Sequence, residues 1–182
     1  MTMIDFMLIG LPRSGTTWAA QWLTTAHSFC LHDPLYLCHY SELDSYADRV
    51  SIGRKTVGVS CTALWRWPQF VSSHPARKVI IHRDIRDINS SLKLLGFPAM
   101  TERDALALYD LPGLHFQYAD LFCESSAAAI WDYLVPGVVF DPARHHLLSQ
   151  MKVSPYFEGL TVNQEVVAKL HSELSSSGCT KR

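Results

Sequence analysis

Short apolar runs bounded by glycine or charge alternate along the chain with stretches in which apolar residues recur every three or four positions. The first pattern predicts buried strands and the second amphipathic helices. Residues 6–9 read as a strand running into Gly10, and Ala19, Ala20, Trp22 and Leu23 continue as a helix ending near Ala26 or His27. Residues 56–61, 79–81 and 114–118 predict further strands, while Ile85, Ile88 and Leu92 have the spacing of a helix's inner face. Residues 102–111, entered from Thr101 and stopped by Pro112-Gly113, predict another helix, as does the alanine-rich run to Leu134. Asp141-Pro142 is a cap followed by a first-turn proline, and residues 166–174 read as a final amphipathic helix. Pro34 forbids a simple helix through residues 29–37, residues 40–55 carry no periodicity that supports an element, and Pro68 limits any regular helix in 63–71.

The first strand and helix enclose Gly10-Leu11-Pro12-Arg13-Ser14-Gly15-Thr16-Thr17-Trp18. The opening N–H groups of a helix have no intrahelical partner and carry the positive end of its dipole, so an anion can be received there. Gly10 and Gly15 allow a tight turn and close approach of backbone to phosphate, Ser14, Thr16 and Thr17 add hydroxyls, and Arg13 adds a fixed charge. The alternative is a glycine-rich turn before an ordinary helix. Against the nucleoside-triphosphatase pattern G-x4-G-K-[ST], both glycines and Thr17 are in place, but Thr16 stands where the lysine belongs and the basic residue lies at Arg13. That shift argues against ATP hydrolysis.

Pro12 to Trp18 match without a gap the pattern P-[KR]-S-G-T-T-[WFL], and the stretch resembles the 5'-phosphosulfate loop of sulfotransferases that use 3'-phosphoadenosine 5'-phosphosulfate (PAPS). The resemblance implies that Arg13 contacts the 5'-phosphate and the sulfuryl group, that Ser14, Gly15, Thr16 and Thr17 hold phosphate, and that Trp18 stacks on adenine. A second stretch, Val79 to Leu92, ends a strand at Arg83 and places Ser91 eight residues on, the separation of the family's 3'-phosphate arginine and serine. Taken alone, Arg83-Asp84 and Arg86-Asp87 would be an ordinary charged helix entrance and Ser91 an ordinary helical serine. In the resemblance Arg83 and Ser91 form the site that distinguishes PAPS from ATP. His82 reads as a packing residue. Between the two motifs, Asp33-Pro34 lies where several family members carry Glu-Pro, whose glutamate is the base. Asp33 is one methylene shorter but keeps a carboxylate able to accept a proton, and His32 is its competitor. Aspartate before proline also commonly just starts a turn.

The resemblance covers about residues 5 to 150 and implies an α/β fold, a three-layer P-loop sandwich with a mainly parallel central sheet, helices on both faces and the nucleotide at the strands' carboxyl ends. It departs from the best-known cytosolic members in lacking their late R-K-G-x-x-G-[DN]-W loop, which leaves either another segment, such as that around Met151-Lys152, to complete the 3'-phosphate and adenine sites, or a nucleotide held less completely. Trp65 and Trp67, flanking Arg66, fit either the core or an acceptor pocket. Asp120-Leu121 matches the family's Y-x-D-L turn, and Arg144 is a candidate bridge between elements.

Composition adds bounds. A chain of 182 residues with 48% hydrophobic and 18% charged positions is ordinary for one globular domain, expected over 1–174 with 175–182 as a disordered tail. A formal charge of −1 gives no ground for a nucleic-acid or membrane-surface partner. Five cysteines without a C-x-x-C pair predict reduced thiols and neither a disulfide framework nor a zinc site, and adjacent His145-His146 point different ways on a helix. No signal core or apolar span of about 18 residues is present, so a cytoplasmic location is expected. The expected activity is metal-independent transfer of a sulfuryl group from PAPS to a hydroxyl or amine of a small-molecule or carbohydrate acceptor, leaving adenosine 3',5'-bisphosphate (PAP). The alternatives are a P-loop kinase of a small metabolite and a non-catalytic PAPS- or PAP-binding protein.

Overall fold

The computed structural model describes residues 4–51, 53, 56–151 and 164–177. Five strands, β1 (Phe6–Gly10), β2 (Ser28–His32), β3 (Thr56–Cys61), β4 (Arg77–His82) and β5 (Leu114–Gln117), form one sheet in the order β2-β3-β1-β4-β5. All four pairings are parallel, and Leu8 in the central strand lies opposite Ser60 on one side and Val79 on the other. The helices are α1 (Thr16–Trp22), α2 (Leu43–Val50), α3 (Pro68–Ser73), α4 (Ile85–Leu94), α5 (Glu102–Ala107), α6 (Glu124–Leu134), α7 (Pro142–Ser149) and α8 (Gln164–Ser177). The chain is therefore α/β with an all-parallel sheet, as the sequence predicts. No helix among the described residues is long and apolar enough to cross a membrane.

Alternation along the strands makes two cores, because successive side chains point to opposite faces. Phe6, Leu8, Val79 and Ile81 face α1 and α6, meeting Trp18, Trp22, Ile130 and Trp131. Met7, Ile9, Val57, Val59 and Ile80 face the other way, onto Ala47, Val71, Ile88, Leu92 and Leu170 from α2, α3, α4 and α8. The helix following β1 thus covers one face and the helix following the adjacent β4 covers the other. Helices that leave adjacent strands toward opposite faces define, at the carboxyl ends of those strands, the crevice position where ligands collect in open α/β sheets.

Several boundaries differ from expectation. The first helix stops at Trp22 rather than near Ala26, since Thr24 and Thr25 turn the chain into β2 by bonding Ala20 and Ser28. The stretch 40–55 contains α2, whose Leu43 and Ala47 are buried at helical spacing. Pro68 opens α3 at its first turn, where its missing N–H costs nothing, instead of preventing it. The helix at 102 ends at Ala107, four residues early, although Thr101 and Asp104 form the expected capping box. Of the proposed tail, residues through Ser177 belong to α8; the rest, including Cys179, lies outside the described residues, as does Lys152. Cys30, Cys38, Cys61 and Cys123 are all free thiols.

Candidate functional site

The loop between β1 and α1 folds back on itself, with Ser14 N–H donating to the Leu11 carbonyl at 3.1 Å. Gly15 has φ +82°, and a Cβ there would sit 3.0 Å from both Tyr118 and Leu121, so both the conformation and the space call for glycine. Gly10 is needed for room alone: it ends β1, and a Cβ would press on Ser14 at 3.2 Å and the Ile81 carbonyl at 3.3 Å. The loop is pinned from below by Ser60, whose hydroxyl donates to the Thr16 carbonyl at 2.8 Å. Ser14 and Thr16 are buried, Thr17 is half-buried, and the Ser14 hydroxyl has no partner among the described residues.

On the β4 side, Arg13, Ser91 and Arg83 meet. Arg13 Nε donates to Ser91 Oγ on α4 at 2.8 Å, and an Arg83 N–H donates to the Arg13 carbonyl. Arg83 lies over the Tyr118 ring, 4.2 Å from its centroid, and its Nε is buried without a partner among the described residues. The two sequence motifs, 70 residues apart from Arg13 to Arg83, are thus one continuous arrangement at the β1–β4 crevice. Asp84 supplies the contrast: it caps α4 and pairs with exposed Arg86 at 2.8 Å, the ordinary helix entrance that the sequence also allowed.

On the β2–β3 side, Asp33 follows β2. Its Oδ1 accepts from Thr62 N–H at 2.6 Å and from Thr62 Oγ at 3.0 Å, while Oδ2 lies 3.3 Å from His32 Nε2. The same imidazole nitrogen is 3.0 Å from Thr17 Oγ1. The two residues that compete for the base role therefore sit together, and His32 links them to the loop. The His32 side chain is 35% exposed and that of Asp33 13%, so both are within reach of a ligand.

Beside Asp33 is a cavity of about 220 Å³ walled by Pro12, Leu35, Tyr36, Thr62, Trp67 and Leu170, with Arg66 among its lining residues. The tryptophans divide: Trp65 is in the core with its N–H donating to the Thr62 carbonyl at 2.9 Å, whereas half-buried Trp67, backed by Tyr40, lines the cavity. The Tyr36 phenol is raised above its usual pKa by burial first, then by the charges of Asp33 and Cys61, and is opposed by Arg66.

Trp18 overturns its expected role. It is 5% exposed, its indole N–H donates to the Leu148 carbonyl at 2.9 Å, and its ring lies 5.3 Å from Trp22 and 4.9 Å from Phe122. It is a core residue joining α1 to α7, and no face is free for adenine. Arg144 bridges as anticipated, donating to the carbonyls of Gln21, Trp22 and Thr24 and so closing the end of α1. His82 packs, also as anticipated. It stacks on Tyr109 at 4.0 Å, faces His115 Nδ1 at 2.8 Å, and burial followed by His115 pushes its pKa down to about 4.

Sequence reasoning missed Thr62, the residue that fixes Asp33, and Tyr118, the ring under Arg83. Each is the first residue past a parallel strand, β3 or β5, and that position is the signal by which they can be found. No protein-family model matches the sequence, and no curated protein aligns with it significantly.

Proposed function

We propose that the chain is a PAPS-dependent sulfotransferase. The observation that carries the reading is the junction of Arg13, Ser91 and Arg83, two motifs for two phosphates brought to one crevice. The residues present fit a doubly phosphorylated nucleotide: a buried guanidinium nitrogen and a buried loop hydroxyl have no partners among the described residues, and burying such groups unpaired costs free energy that an anion would offset. Arg13, Ser14, Gly15, Thr16 and Thr17 would hold the 5' end, and Arg83 with Ser91 the 3'-phosphate. When bound, PAPS supplies a sulfuryl group whose bond to the bridging phosphate oxygen breaks, the electron pair staying on that oxygen, as a bond from the acceptor oxygen or nitrogen to sulfur forms.

The chain's own contribution is electrostatic and positional. Arg13 meets the charge that grows on the phosphate side, where removing one aligned donor costs about a hundredfold or more in rate. Asp33 takes the acceptor's proton on Oδ2, because Oδ1 is already engaged twice by Thr62. His32, between Oδ2 and Thr17, orients that carboxylate against the loop. The acceptor lies in the cavity bordered by Pro12 and Asp33, next to the residue, Arg13, that follows Pro12 in the chain.

Incubation of labelled PAPS with a panel of phenols, sugars, amines and hydroxy acids tests the reading. Asp33→Asn is expected to lower transfer about a hundredfold or more, the size of a lost general base, with His32→Gln costing less. Equal transfer by wild type and Asp33→Asn would remove Asp33 from this role, and a reversed ranking would give it to His32.

A further inference from the structure

The cavity beside Asp33 has an uneven chemistry. Leu35, Trp67 and Leu170 give it apolar and flat aromatic walls, and its volume of about 220 Å³ equals roughly seven water molecules' share of liquid, room for a single substituted ring. Its lining also includes one guanidinium, that of exposed Arg66, and the imidazole of His171. Arg66 lies over the Trp65 ring at 4.9 Å, a contact that holds its plane without using its N–H donors, and it has no carboxylate partner among the described residues. Tyr36 lies within the electrostatic reach of both Asp33 and Arg66, so an occupant of the same cavity meets one carboxylate and one guanidinium together.

Arg66 is exposed at the cavity's edge, with no side-chain hydrogen bond committing its N–H donors among the described residues, and a planar carboxylate on the occupant matches that fork of donors. We infer that the acceptor is a compact aromatic hydroxy acid, its hydroxyl directed to Asp33 and its carboxylate bound by Arg66. This rests on the sulfotransferase reading, for which Asp33 is the base, and adds the class of acceptor. Arg66 then acts as a specificity residue.

Calorimetry in the presence of saturating adenosine 3',5'-bisphosphate tests it. The probes are 4-hydroxybenzoate, 4-hydroxyphenylacetate and 3-(4-hydroxyphenyl)propionate, each beside its neutral amide. At least one acid is expected to bind tenfold or more tightly than its amide, with Arg66→Gln erasing the difference and Arg66→Lys, which keeps charge but not the fork, retaining part of it. The bisphosphate affinity should be the same in all three proteins, which also shows that the variants fold. Acid and amide binding equally, no binding of any probe, or an acid preference that survives Arg66→Gln would each overturn the inference. Failure of the bisphosphate itself to bind wild type is a different result and would overturn the sulfotransferase reading beneath it.

Discussion

Arg13 and Asp33 are the only two non-glycine residues among those described whose backbone enters the left-handed region, with φ of 69° and 44°. Holding a side-chain-bearing residue there costs on the order of 1–3 kcal/mol, and such strain persists where the surroundings over-determine it. Both belong to the proposed reaction, Arg13 within the loop and Asp33 just past the end of β2. Arg13→Gly relieves the conformation while deleting the guanidinium, so unfolding free energy should stay within about 1 kcal/mol of wild type. Affinity for adenosine 3',5'-bisphosphate should nevertheless fall tenfold or more by calorimetry. A large loss of stability with unchanged affinity would make Arg13 a structural residue. Arg83→Ala should weaken the bisphosphate far more than AMP, since only the former carries the phosphate assigned to it; a uniform loss would contradict that assignment. At this scale the sequence R-D-I-R-D was ambiguous. Arg83 and Arg86 are each followed by an aspartate, and only the position of the helix cap at Asp84 leaves Arg83 as the first residue past β4 and puts Arg86 in solvent.

Among elements, the β1–loop–α1 unit was the most legible, because a short apolar run, two glycines and a helical repeat leave little choice of local structure. What the motif could not convey is why each glycine is there. Gly15→Ala is expected to lower stability by roughly 1–2 kcal/mol from its left-handed backbone alone. The new Cβ also presses on Tyr118 and therefore disturbs the support under Arg83, so 3'-phosphate affinity should fall with it. Urea unfolding and bisphosphate titration of the same variant check the two effects, and stability unchanged from wild type would contradict the geometry. The adenine contact that the motif implies for Trp18 is not legible against its packing, because its place in the motif says nothing about α7, 130 residues away, whose Leu148 carbonyl takes its N–H. The helix α2 was passed over although Leu43 and Ala47 carry its period, since the polar residues around them masked it.

For the whole molecule, the mainly parallel sheet implied by the resemblance, and in keeping with the alternation of strands and helices, is what the fold has. The strand order and the divergence of α1 and α4 to opposite faces came only with tertiary packing. That order explains why residues from distant segments meet at one rim. It also buries His82 against Tyr109 at the end of β4, where it is kept neutral to about pH 4, chiefly by burial. An unfolded histidine titrates near 6.5, so between about pH 6.5 and 4 the unfolded chain binds more protons. The His82 contribution is therefore complete above about pH 6.5 and is lost as pH falls toward 4. In urea titrations, His82→Phe should show a shallower decline of unfolding free energy across that window than wild type, and an identical slope would contradict the burial argument.

The central claim is that the crevice between β1 and β4 binds two phosphates of one nucleotide, and calorimetry of the wild-type chain with adenosine 3',5'-bisphosphate and with ADP, each without and with Mg²⁺, tests it most directly. Tight binding of the bisphosphate without Mg²⁺, and weak binding of ADP, is the predicted result. A preference for ADP with Mg²⁺ would contradict it and point instead to phosphoryl transfer.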